Sequence, residues 1–213
     1  MESGSDFTPE ERARITHAIR AAEARSSGEI VCAVAGASGN YFLPAAAILL
    51  GCVLPVSLVA ALILDRFWLT LSLPLFALAQ LLAAAVLLLF LWMSPRLQRV
   101  LTPQSVQARA AHDNALRQFL ARNVHRTRGR TGVLLFVSRA ERHAEVIADS
   151  GIDALVPPGT WDALVDGILL HAHADRLAEG LAEAATQAGA LLAKHFPPSP
   201  VEENELPDHL VEI

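Results

Sequence analysis

Asp149 and Asp153 are the acids in this chain best placed to hold a divalent cation. They sit four positions apart where a predicted strand gives way to a loop containing Gly151, Pro157, Pro158 and Gly159. A hard ion such as calcium takes about six to eight oxygens, mostly carboxylates and loop carbonyls. Asp149, Asp153 and a backbone carbonyl near Gly151 would supply part of that shell. The competing reading is that Asp149 caps the loop through its own backbone while Asp153 faces water. A bare Asp-x-x-x-Asp lacks the spacing of a dedicated calcium loop. Glu29 at a strand start and Glu141 in a turn are the remaining acids at strand ends.

A basic cluster lies just upstream. Arg117, Arg122, Arg126, Arg128, Arg130, Arg139 and Arg142 fall within 26 residues, with His112, His125 and His143 nearby. Arginine forks bind phosphate oxygens in pairs. Arg128 and Arg130 flank Gly129 ahead of the strongest predicted strand, and with Arg126 they make a loop able to face an anion. Three readings stay open: a solvated face paired with Asp113, Glu141 and Glu145, contact with anionic lipid headgroups, or a phosphorylated substrate. The net charge of −5 and the few aromatics in this stretch argue against nucleic acid.

The familiar catalytic signatures are missing: no Gly-Lys-Ser/Thr phosphate loop, no Gly-x-Ser-x-Gly elbow and no His-Glu-x-x-His. His171 and His173 are two apart, so on a helix they point to different faces and make no metal pair. The sequence leaves catalysis undecided.

These residues need a scaffold. Thr8, Pro9 and Glu11 form a capping box ahead of a helix with Ile15, Ala18, Ile19 and Ala22 at helical spacing. Residues 29–35 read as a strand, and Gly36 to Asn40 as a linker. Beyond residue 103 come a helix over 104–124, a strand over 131–137 and a strand over 143–149 paired to it as a hairpin. A loop over 150–159 follows, then a helix capped by Thr160 running to about His173, and a helix from about Asp175 to Lys194. Pro197, Pro198 and Pro200 end it, and an irregular acidic tail runs from Glu202 to Ile213, with apolar residues that allow it to fold back or dock a partner.

Between the two halves lies the longest apolar stretch. Phe42 to Leu64 is 23 residues without a charge and Phe67 to Met93 is 27 more, separated by Asp65 and Arg66. About 20 helical residues cross a bilayer core of roughly 30 Å. Soluble core helices rarely lack a polar face for so long, so the stretch reads as a transmembrane hairpin. Gly51, Ala60 and Ala83 to Ala85 are small enough to let two helices approach, and Gln80 is the one strongly polar residue within a span, suited to facing its partner helix. Pro44, Pro55 and Pro74 are tolerable there. Tyr41, Trp68 and Trp92 suit the aromatic belt. Arg25, Arg96, Arg99 and Arg109 flank the hairpin against Arg66 alone at its tip, which places both termini in the cytoplasm. Cys32 in a strand and Cys52 in a span are too separated to pair.

The ordered set Ala21-Ala22-Glu23, Ser27-Gly28-Glu29-Ile30-Val31, Thr131 to Ser138 with Glu141-Arg142, Ile147 to Ile152, Trp161, Gly180-Leu181 and Gly189 to Pro197 resembles the TPM domain family. That family includes thylakoid acid phosphatase-like proteins and bacterial membrane-anchored relatives. The resemblance implies an α/β/α sandwich, often membrane-attached, with binding of calcium or another divalent ion in some relatives and phosphatase activity claimed for plastid ones. Where many members carry a Thr/Glu-Gly-Tyr-Gly turn, this chain has Asp149-Ser150-Gly151-Ile152.

The expectation is therefore a small α/β/α sandwich interrupted by a two-helix transmembrane hairpin. Residues 1–40 and 94–196 would form the sandwich, 41–93 the hairpin and 197–213 an acidic tail. The expected protein is a two-pass protein of the bacterial inner membrane whose cytoplasmic domain binds membrane partners or lipid. The alternative is a divalent-metal-dependent phosphatase with Asp149 and Asp153 on the ion and arginines on the phosphate.

Overall fold

The computed structural model describes residues 7–67, 72–198, 206 and 209–213. They form two compact units, Met1–Ser38 with Ala108–Ile213, and Gly39–Gln107. Trp68, the acids Glu202 to Glu205 and Asp208 lie outside the described residues.

The first unit is built on a four-stranded sheet in the order β3-β2-β1-β4. Strand β1 (Ile30–Ala35) pairs in parallel with β2 (Val133–Ser138), from Ile30 opposite Val133 to Ala35 opposite Ser138. Strand β3 (His143–Ala148) is antiparallel to β2, as the polar turn between them requires. Both central strands are buried on both faces, which is why they read as unbroken apolar runs. Ile30, Cys32, Val34, Val133, Leu135 and Val137 point into a core with α1 (Pro9–Glu23), α7 (Thr160–His173) and α8 (Leu177–His195). Val31, Ala33, Leu134 and Phe136 point the other way, onto Ala115 and Phe119 of α5 (Gln104–Ala121). The result is the α/β/α sandwich.

Several local readings change. The tail is not irregular at its end: Val211–Glu212 form β4, parallel to β1, with Leu210 and Val211 buried and Glu212 on Arg12 at 2.6 Å. The loop after β3 begins with one helical turn, α6 (Ser150–Asp153), because Asp149 caps it. Thr160 does not cap α7. Gly159 takes that position at φ +82, a left-handed conformation that glycine adopts without a side-chain clash, and the Thr160 hydroxyl donates instead to the Pro157 carbonyl. Helix α8 starts at Leu177, two residues later than expected, because Asp175 sits at φ +55.

The second unit contains α2 (Phe42–Arg66), α3 (Leu73–Met93) and a short α4 (Pro95–Leu101). Both long helices are long and apolar enough to cross a membrane. Asp65 and Arg66 are the last turn of α2 rather than the whole connection. The facing stripes are Leu49, Val53, Ser57 and Ala61 on α2 with Phe76, Gln80, Ala84 and Leu88 on α3, all half-buried. Gln80 meets its partner helix as expected, its Nε2 donating to Ser57 Oγ at 3.0 Å. Gly51 does not contribute to close approach: a Cβ there would meet nothing within 4 Å. The seam places Ala61 inward and leaves Ala60 exposed, because the two helices meet along a period-four stripe.

Gly189 is where helix packing does demand a glycine. A Cβ there would stand 2.3 Å from Ala22 Cβ and 2.9 Å from Ala22 Cα, so α1 and α8 cross backbone to backbone. Gly189→Ala should lower unfolding stability by about 1–3 kcal/mol through overpacking. Gly167→Ala, in open space on α7, should raise it by about 0.5–1 kcal/mol. Urea titrations followed by circular dichroism test both. Equal effects would mean that the α1–α8 crossing gives way freely.

Candidate functional site

The two sequence-predicted groups meet where the chain enters β2 and leaves β3. The 3-10 turn Val124–Arg126 leads into a loop whose Arg130 is left-handed at φ +51. Thr127 Oγ1 accepts from Thr131 N at 3.1 Å, and Thr131 Oγ1 donates to the Ser27 carbonyl at 3.1 Å, so the loop is pinned beneath β1. Gly151 N donates to Arg130 O at 3.0 Å. A Cβ on Gly151 would stand 2.5 Å from Arg130 O and 2.7 Å from Gly129 O, so this turn closes on the arginine loop without room for a side chain. Arg130 Nη1 also reaches Ser150 Oγ at 3.4 Å. Arg126 and Arg128 are exposed on the same loop.

Asp149 is buried. Its Oδ1 accepts from Ser150 N at 2.6 Å and from Ser150 Oγ at 3.2 Å, while its buried Oδ2 has no hydrogen-bond partner. Such an orphan costs about 1–3 kcal/mol unless something meets it. Asp153 lends Oδ1 to the Trp161 indole N–H at 3.1 Å. The two aspartates thus offer carboxylate oxygens but not a complete cage. Among the described residues no group of three or more His, Cys, Asp or Glu side chains is arranged to hold a metal ion.

A second polar centre, at the opposite end of the sheet, was not visible as a motif. Ser138 Oγ donates to Glu141 Oε2, so its own oxygen must accept from Ser38 Oγ at 2.7 Å. Ser38 Oγ in turn accepts from Asn114 Nδ2 at 3.3 Å. Each hydroxyl has one proton, so the order Asn114, Ser38, Ser138, Glu141 is directional and ends on the carboxylate. Ser38 N also donates to both Glu141 oxygens at 3.2 Å. This is the carboxyl edge of the parallel pair, where open α/β sheets usually take ligands. A cavity of about 590 Å³ opens beside it, lined by Phe7, Glu11, Ser138, Arg139, Arg142 and His173 among others. The Glu11 carboxyl is held below the ordinary range by the Thr8 backbone N–H of the capping box.

The third cluster spans α5 and the edge strand. His112 Nδ1 lies 2.7 Å from Glu145 Oε1, and His143 Nε2 lies 3.5 Å from Glu145 Oε2. That second contact is too long for a good hydrogen bond, and both of its atoms are otherwise unpartnered. Burial pushes the Glu145 carboxyl up, but the polar contacts and charge of His143 and His112 outweigh it, leaving the group below its ordinary value. His171 and His173 turn back onto the Gly167 and Leu169 carbonyls of their own helix at 3.0 and 2.9 Å.

A depressed carboxyl stabilises the fold above its unfolded value of 4.5, and that contribution is lost as pH falls through the lower folded value. Glu145→Gln should therefore flatten the acid side of the stability profile while costing stability at neutral pH. Urea midpoints measured from pH 7 to 3 test this. Parallel profiles for the two proteins would show that Glu145 is not linked to folding.

The family model of the TPM domain matches residues 98–191. The NMR structure of the BA42 protein from the psychrophilic bacterium Bizionia argentinensis is similar at a TM-score of 0.60, with 19% identity, over 99% of this chain and 98% of that one. No curated protein matches the sequence significantly. Residues 98–191 of this chain are therefore similar to the TPM domain, and the chain shares its fold with the BA42 protein.

Proposed function

We propose that the protein is a two-pass inner-membrane protein of a bacterium whose TPM domain faces the cytoplasm and binds membrane partners or anionic lipid. One observation carries the reading. The most apolar windows of α2 and α3 are 0% and 6% buried, so Leu54, Leu58, Leu62, Leu81, Val86 and Phe90 stand exposed. The core helix of a soluble protein buries such residues, whereas a lipid-facing helix leaves them outward. The exposed Arg126, Arg128 and Arg130 suit an anionic headgroup surface. The flanking arginines favour cytoplasmic termini.

The chain should float with phosphatidylethanolamine/phosphatidylglycerol vesicles and resist carbonate extraction. The native thiols allow the orientation to be read. Burial, with the charge of Glu23, pushes the Cys32 thiol up to about 12, so it stays silent in the folded protein. In a Cys52→Ser background, Asp65→Cys should react with an impermeant maleimide from outside intact cells, and Arg126→Cys after permeabilisation alone. The reverse pattern would overturn the orientation. Release by carbonate would remove the membrane reading itself.

A second reading, a divalent-metal-dependent phosphatase, draws support from the orphaned Asp149 Oδ2 beside the Arg130 loop. Asp149 and Asp153 would hold calcium or another divalent ion, and Arg128 or Arg130 would carry phosphate charge. The bound ion would supply Lewis-acid polarisation of a phosphoryl oxygen. Calcium, magnesium or manganese should then produce saturable amide shifts centred on residues 149–153 that vanish in Asp149→Asn. A spectrum indifferent to all three ions would eliminate this reading.

A further inference from the structure

The second unit is nearly free of acid. Asp65 is the one carboxylate between Glu29 and Asp113, and it belongs to the last turn of α2. At the opposite end of the two long helices, α4 carries Arg96 and Arg99. Among the described residues neither guanidinium makes a hydrogen bond or an ion pair. Two cations without a counter-charge in their own unit call for an anion from outside.

Helix α4 is held in place rather than left as a linker. Leu97 and Leu101 pack on Ala45, Ala46 and Leu91 at the foot of the two long helices. Gln98 Nε2 donates to the Leu91 carbonyl at 3.0 Å, and Gln107 Nε2 donates to the Arg99 and Thr102 carbonyls, both at 2.8 Å. Leu97 and Leu101 therefore fix the inward side of the helix. At about 100° per residue, Arg96 and Arg99 fall roughly 60° apart on the other side. Residues three apart are neighbours on a helix surface, so the two forks can share one phosphate group.

Length sets the level at which they stand. The 21 residues of α3 rise about 30 Å, the thickness of a bilayer core. Ser94, at φ −121 and ψ 79, ends that helix, and α4 starts at the next residue. Trp92 is 66% exposed at the same end, the depth that interfacial aromatics occupy. The anion available at that depth is a lipid phosphodiester.

We propose that Arg96 and Arg99 bind the phosphodiester of an anionic phospholipid, phosphatidylglycerol being the headgroup that fits. A zwitterionic lipid brings its own ammonium to the phosphate, so the uncompensated charge of α4 selects the anionic one. The site is separate from the Arg126 to Arg130 loop, and it rests on the reading of α2 and α3 as membrane spans.

The test uses the full chain in phosphatidylcholine vesicles with a trace of spin-labelled phosphatidylglycerol or spin-labelled phosphatidylcholine. Flotation is checked first, and the motionally restricted fraction of each label is then read by electron paramagnetic resonance. Wild type should prefer phosphatidylglycerol. Arg96→Gln and Arg99→Gln should each lower that preference by about 5-fold, and together bring the two lipids to parity. The pair Arg96→Lys and Arg99→Lys keeps the charge and should keep most of the preference. Protein that floats but restricts both lipids equally overturns the site alone, as does a double Gln variant that matches wild type. A Lys pair as weak as the Gln pair overturns it too, because the loss would then follow from disturbed packing of α4. Protein that fails to float overturns the membrane reading and this inference with it.

Discussion

The parallel ladder between β1 and β2 is the constraint on which the first unit depends. Six residue pairs, from Ile30 opposite Val133 to Ala35 opposite Ser138, join segments that lie on either side of the whole second unit. A parallel pair needs a long crossover. Here the crossover carries α2, α3 and α4 before α5 returns to cover one sheet face with Ala115 and Phe119. At the carboxyl end of the ladder, Ser38 and Ser138 are 100 positions apart in sequence and 2.7 Å apart in space. The point where the chain departs toward the apolar helices is thus tied to the β2–β3 turn by Glu141, which holds both the Ser38 backbone and the Ser138 hydroxyl.

Features written in local periodicity were legible. The Thr8–Glu11 box, the unbroken apolar runs of β1 and β2, the two apolar helices and the inward turn of Gln80 all follow from residues close together in the chain. Features made by distant residues were not. No spacing rule announces that His112 on α5 meets Glu145 on β3, or that Asn114, Ser38, Ser138 and Glu141 form one chain of hydrogen bonds. Strand β4 is two residues long, too short to leave an alternation, and its acidic neighbours argue against order. Asp149 and Arg130 were each conspicuous, but their meeting depends on Gly151 lying against the Arg130 carbonyl, a backbone contact that composition does not encode.

The two ends of the sheet carry different chemistry. At the amino end of β2, arginines sit on a loop against an aspartate that spends one oxygen on a cap and leaves the other buried and unmatched. At the carboxyl end, a carboxylate accepts from the Ser138 hydroxyl and the Ser38 backbone amide within one connected network. The first arrangement has electrostatic capacity to spare, while the second is closed on itself and serves to hold geometry. That difference follows from which residues the β2–β3 hairpin presents at its two extremities.

The placement of β1 also has a consequence in time. Both of its neighbours, β2 and β4, come from beyond the apolar helices in chain order. At roughly 5–20 residues per second of synthesis, β1 waits on the order of 5–20 seconds with both edges unpaired while those helices leave the ribosome. An apolar strand with two open edges is prone to pair with the wrong partner. The early segment must therefore be sheltered, by α1 or by a chaperone, until the later half of the sheet arrives to claim it.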